Sequence, residues 1–216
     1  MAKLPSEDEF TLQIGRALSI FGSVEMSLAN LFCAAVGGDH HTVERVFWAV
    51  NSLEVRTAMT AAAFKCAIAK LPPRNGLQPL WDEIAKALPK LASKRAELAH
   101  GNYLRTSWVQ AGRVREDVYF APYYGKQRMD ADISWQKPRW DPRPKKRLYV
   151  ADLKQRAREF SEANLKIMHL DAQLSGQLEE ANLQRAKQSQ SPSPPARPSA
   201  SRRRKETPQR RKRTAD

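Results

Sequence analysis

The sequence predicts a mainly α protein: a helical bundle of three to four long helices, with a small β-hairpin insertion before the last helix and a disordered basic C-terminal tail. Three observations predict it. Apolar residues recur at spacings of three and four through residues 6 to 100 and again after Asp152. Residues 102 to 150 switch to short alternating runs, and the chain beyond Leu183 has almost no apolar residue. The bundle domain is therefore placed at residues 6–182, with 102–150 as an insertion within it and 183–216 as the tail.

Each element has its own signals. Ser6 followed by Glu9 makes a capping box, after which Phe10, Ile14, Leu18, Phe21, Val24, Leu28, Leu31 and Phe32 form one apolar stripe. Gly37-Gly38 stops this first helix. A second helical stretch runs from Thr42 to Lys70, with a break allowed at Asn51-Ser52, and Leu71-Pro72-Pro73-Arg74-Asn75-Gly76 ends it. The third begins near Pro79 and carries Leu80, Trp81, Ile84, Leu88, Leu91 and Leu98. Pro89 inside it implies a kink or two helices meeting end to end. Thr106–Gln110 and Val114–Ala121, joined by Ala111-Gly112-Arg113, read as a hairpin, with Arg147–Val150 as a candidate further strand. Asp152 is a good N-cap for the closing helix through Leu153, Phe160, Leu165, Met168, Leu174 and Leu178.

Charge is distributed unevenly. The 216 residues carry a net +14, and residues 183 to 216 hold eleven Lys or Arg against Glu206 and Asp216, leaving +9 in the tail. Its clusters, Arg202-Arg203-Arg204-Lys205 and Arg210-Arg211-Lys212-Arg213, suit a nucleic-acid arm whose phosphate contacts release counterions. A solubilising tail with incidental RNA affinity is the alternative. Nine of the seventeen aromatics fall between Tyr103 and Tyr149, beside eleven Lys or Arg. These rings could stack on bases or pack the insertion onto the bundle.

Several classes are excluded or disfavoured. No uncharged run is long enough to span a bilayer and the N-terminus turns acidic at once, so a soluble cytoplasmic protein without membrane partners is expected. Cys33 and Cys66 lack metal-ligand spacing and read as small buried hydrophobes. His40-His41 has no further ligand nearby and reads as a polar loop capping the second helix through Thr42. His169 reads as a packing or surface position. No metal or cofactor is expected.

The stretch with chemistry in it is Lys94-Arg95-Ala96-Glu97-Leu98-Ala99-His100-Gly101-Asn102-Tyr103. Arginine stays charged and offers a planar fork of donors, while histidine exchanges protons near neutrality. Five residues of helix separate the two by roughly 140° and about 7.5 Å, so Arg95 must reach along the axis. Glu25 falls on the apolar side of the first helix, where a lone carboxylate is costly, and Arg95 and Arg56 are its candidate partners. It either orients the Arg95–His100 pair or ties helices together.

This stretch resembles the R-x4-6-H motif of the HEPN superfamily, helical-bundle proteins that include many metal-independent ribonucleases. Phe21-Gly22-Ser23-Val24-Glu25 on the first helix, Arg56 followed by Met59 on the second, and the order of elements are also similar. At Ala96 the sequence departs from the commonest motif, where a polar residue, often asparagine, follows the arginine. The resemblance implies an endoribonuclease cleaving through the 2'-hydroxyl, toxin or defence related, with an antitoxin as partner. Arg95, His100 and Glu25 would be catalytic, with Arg56, Asn102 and Tyr103 supporting. Because the reaction needs a base and an acid, it also implies a homodimer that brings two motifs together. The alternative is a HEPN-like RNA- or protein-binding module without catalysis, gripping nucleic acid through its basic arm.

Overall fold

The structure, a computed structural model, describes residues 4–73, 75–110, 113–122 and 146–189. It is mostly helical, in the order α1 (Glu7–Val36), α2 (His40–Trp48), α3 (Leu53–Ile68), α4 (Leu77–Ala99), β1 (Asn102–Gln110), β2 (Arg113–Ala121) and α5 (Val150–Ser189). The basic clusters of the tail, the Ala111-Gly112 turn and most of the stretch between β2 and α5 lie outside the described residues.

Local signals start and stop the helices much as the sequence implies. Ser6 Oγ accepts from Glu9 N at 3.2 Å and caps α1, which Gly37 ends at φ 75°. A side chain at that φ would be strained, so glycine is needed there. By length and composition α1 is apolar enough to cross a membrane, but half of its most apolar window is buried inside the structure. The second helical stretch divides at the expected break, where Ser52 caps α3 by accepting from Val55 N. His40-His41 opens α2 instead of lying in a loop, and its cap is Asp39, which accepts from Thr42 N at 2.9 Å and Thr42 Oγ1 at 2.6 Å. That pair of bonds, the side-chain one first, holds the Asp39 carboxyl below its ordinary pKa. α4 runs unbroken through the exposed Pro89, so it is one helix.

Three further expectations need correction near the closing helix. Leu148 makes a single bridge to Phe120 and Val150 already begins α5, so Arg147–Val150 is not a strand. Asp152 is the third residue of α5 and not its N-cap; its carboxylate reaches back to accept from Tyr149 N at 2.8 Å. α5 also stays helical through Ser189, seven residues into the segment expected as tail. Of the cysteines, Cys33 is buried as expected, with its thiol pushed up by burial, but Cys66 is exposed. His169 is exposed and meets Gln173.

Helix pairings define the body. Ser27 donates to Asn164 at 2.7 Å and Phe21 packs edge-on against Phe160, so α1 and α5 run side by side in the same direction. Ion pairs Lys94–Glu159, Glu83–Lys166 and Glu97–Arg156 set α4 antiparallel to α5. Phe64 of α3 stacks on Trp81 of α4 at 5.5 Å. Phe10, Leu28, Leu31, Phe64, Leu88, Phe160, Ile167 and Leu170 are almost fully buried in the shared core. The hairpin docks by one end: Tyr103 lies edge-on to Phe10 at 5.4 Å, and Val118, Tyr119 and Phe120 are buried. Its far end carries exposed Val109 and Val114.

Candidate functional site

α4 ends in Ala99, with His100 at its C-cap donating its N–H to the Ala96 carbonyl at 3.2 Å. Arg95, Ala96, Ala99 and His100 are all exposed. Arg95 nevertheless continues an inward-facing row. Trp81, Leu88 and Arg95 are spaced by seven, which turns the helix by about −20° per step, and the first two are buried.

Lengths explain why the third is not. From the Phe64–Trp81 contact, α3 reaches back eleven residues to Leu53, roughly 16 Å, while Arg95 lies fourteen residues further along α4, roughly 21 Å. α4 therefore outruns α3 by about a turn. An arginine on the core row emerges where its neighbour stops. Neither Arg95 nor His100 has an ion pair or side-chain hydrogen bond among the described residues.

Other sequence-derived site residues are distributed differently. Glu25 pairs with Arg56 at 3.1 Å and not with Arg95. Arg56 is buried, donates Nε to the Val50 carbonyl at 2.6 Å, and lies 4.5 Å from the Trp48 ring centre and 5.3 Å from that of Phe47. With Nη1 on Glu25, Nε on the Val50 carbonyl and two rings against it, this guanidinium ties α1 to α3, and Glu25 is engaged there and not by the exposed motif. Asn102 opens β1 and is exposed, whereas the Tyr103 ring belongs to the packing against Phe10. Gly101 has a steric role: an added Cβ would overlap the Phe120 ring and lie 2.8 Å from the Ala121 carbonyl.

Sequence reasoning missed the charged network behind the motif. Glu97, two residues past Arg95, receives Lys146 on both carboxylate oxygens at 2.9 and 2.8 Å and is also paired with Arg156. Arg156, buried at 5 % exposure, donates in addition to the Lys94 carbonyl at 2.9 Å. Burial pushes the Glu97 carboxyl up, and the bonds and charges of Lys146 and Arg156 outweigh it, leaving the group below the usual carboxylate range. The available signal was Arg156 itself, an arginine on the apolar row of the closing helix between Leu153 and Phe160.

Two grooves are present elsewhere. One of about 550 Å³ lies between the end of α1 (Ala34–Gly37) and α5 (Leu178, Asn182, Arg185), and one of about 150 Å³ lies between α4 and α5 beside Leu88 and Ala163. Neither is lined by Arg95 or His100. Among the described residues, no three His, Cys, Asp or Glu side chains come together as metal ligands. Comparison with protein-family models, with curated proteins and with solved structures found no match to this chain.

Chemically, the motif offers a guanidinium without a partner among the described residues and an imidazole on one accessible helix end. That is a cation for a phosphate and a group able to move a proton. It supplies one proton carrier where phosphodiester cleavage needs two.

Proposed function

We propose that the chain is a HEPN-like, metal-independent endoribonuclease that acts as a homodimer, with Arg95 holding the scissile phosphate and His100 moving protons. The observation that carries this is Arg95, which lies on the inward row of α4 yet is exposed and unpaired among the described residues. The order of helices, with a hairpin before the closing helix, supports the same reading.

In the proposed reaction the 2'-oxygen attacks phosphorus as a base removes its proton, and the 5'-oxygen leaves as an acid protonates it, giving a cyclic phosphate. A donor fork beside the phosphorane stabilises its added charge. One His100 serves as base and the partner subunit's motif supplies the acid. A toxin or defence setting with an antitoxin partner belongs to this proposal, as does RNA contact by Arg202–Lys205 and Arg210–Arg213.

A second reading is favoured by two observations: Ala96, and not a polar residue, follows Arg95 on the exposed helix end, and Glu25 is engaged by Arg56. It is a HEPN-like RNA- or protein-binding module without catalysis. RNA cleavage with EDTA present separates the two. The wild type is expected to cut single-stranded RNA, with Arg95→Ala and His100→Ala each slowed by about 100-fold or more. Intact RNA with all three proteins would leave only the binding module. Mixing wild-type with His100→Ala subunits tests the dimer, since a shared site loses rate faster than the wild-type fraction falls, each mixed pair lacking one of the two proton carriers.

A further inference from the structure

α4 needs something other than α3 to hold its last turns. Where Arg95 and His100 emerge, α4 has run past the first turn of α3, and neither of these two side chains has an ion pair or side-chain hydrogen bond among the described residues. The Arg156 fork grips this helix end at two points, the Lys94 carbonyl just before Arg95 and the Glu97 carboxylate between Arg95 and His100. Lys94 adds a rung to Glu159, one turn further along α5. Glu97 lies 200° of helix rotation past Arg95 and one turn before His100, so holding it toward α5 turns Arg95 away from α5.

The arginine also suits the task better than the sequence position suggests. Position 156 lies on the apolar row of α5, where leucine or phenylalanine would fill the space without charge. A buried arginine and carboxylate gain little stability over such packing, but their directional bonds fix one geometry.

We propose that Arg156 and Glu97 are positioning residues for the motif: their pair sets the rotation of the last turn of α4 and thereby the direction in which Arg95 and His100 meet an RNA phosphate. This rests on the reading of Arg95 and His100 as the phosphate-handling pair. A misplacement of about 1 Å at such a site costs roughly 100-fold in rate.

The test uses the full chain with Arg156→Lys, Glu97→Gln and, as a control rung away from the motif, Lys166→Gln. Three quantities are read: thermal unfolding, kcat and KM on single-stranded RNA, and the ring ¹H–¹³C NMR signal of His100, identified by its loss in His100→Ala. Arg156→Lys keeps the charge but loses the fork. It is expected to fold, to shift the His100 signal, and to lower kcat by about tenfold or more with KM within about twofold. Lys166→Gln is expected to do neither. A His100 signal unmoved in Arg156→Lys, or an unchanged kcat beside an active wild type, overturns the proposal. So does loss of folding in both Arg156→Lys and Glu97→Gln, which would make the pair a structural tie. Absence of cleavage by the wild type instead overturns the nuclease reading, and the NMR comparison still decides the positioning role.

Discussion

Arg56 and Arg95 occupy comparable places, each on the inward row of its helix, and they have opposite fates. Arg56 lies where α1, α2 and α3 are all present, and its guanidinium is consumed by Glu25, the Val50 carbonyl, Trp48 and Phe47. Arg95 lies past the start of α3 and has no such partners among the described residues. The contrast teaches that an arginine on a core row is not itself a site. What matters is whether neighbouring helices are long enough to use it.

The largest expected effect is on the consumed arginine. Arg56→Ala removes the Glu25 partner, the carbonyl contact and the ring contacts together, and is expected to cost about 3 kcal/mol, less than a fully buried pair because Glu25 keeps some water contact. For a chain of this size that lowers Tm by about 6–12 °C. A Tm unchanged within error would mean that Glu25 and Arg56 are not the tie between α1 and α3.

Gly101→Ala comes next. The added methyl meets the Phe120 ring edge and the β2 backbone where the hairpin joins the body, so either Phe120 leaves its buried position or the α4–β1 junction moves. Overpacking of this kind costs about 1–3 kcal/mol. Chemical denaturation checks it. Because the same substitution lies beside His100, a loss of RNA cleavage in this variant is interpretable only against that stability change.

The two carboxylates shifted on α4 and α5 carry opposite signs. Glu97 is held down in the folded state, so its contribution is present above its unfolded pKa and is lost as pH falls through the folded value. Asp171 is pushed up, first by burial and in spite of nearby His40, and its Oδ1 is buried without a hydrogen-bond partner among the described residues. For such a group the folded state gains on the unfolded as pH falls through the raised value. Asp171→Asn is therefore expected to stabilise the protein at pH 7, by about 1 kcal/mol or less, with the advantage shrinking toward acid. Thermal melts of both proteins from pH 7 down through the ordinary carboxylate range, about pH 4, check the sign.

What the sequence made legible follows the same division. Periodicity and caps were enough for α1 and the break before α3, and for the existence of α4 and the hairpin though not for the continuity of α4 through Pro89 or the start of β1 at Asn102, because local spacing around residues such as Ser6, Gly37 and Ser52 decides the first two. The Arg95–His100 spacing was legible too. The choice between Arg56 and Arg95 as partner for Glu25 was not, since it depends on how far α3 extends beside α4. Arg156 stood out on its apolar row, but its pairing with Glu97, and that of Lys146, was out of reach, as they lie 59 and 49 residues from Glu97 and only the return of the chain along α4 joins them.

The smallest stability effect is expected at Arg95, and it sharpens the comparison most. With no ion pair to break and no ring contact among the described residues, Arg95→Ala should change stability by no more than about 0.5 kcal/mol, the ordinary range for an exposed position. Its effect should appear in ligand contact: weaker binding of a non-cleavable 2'-deoxy oligonucleotide and a shallower salt dependence, by about one phosphate contact per subunit. A variant that melts like Arg56→Ala would place Arg95 in a structural tie. One that is stable but binds and cuts as the wild type would leave this exposed guanidinium without a role in RNA contact.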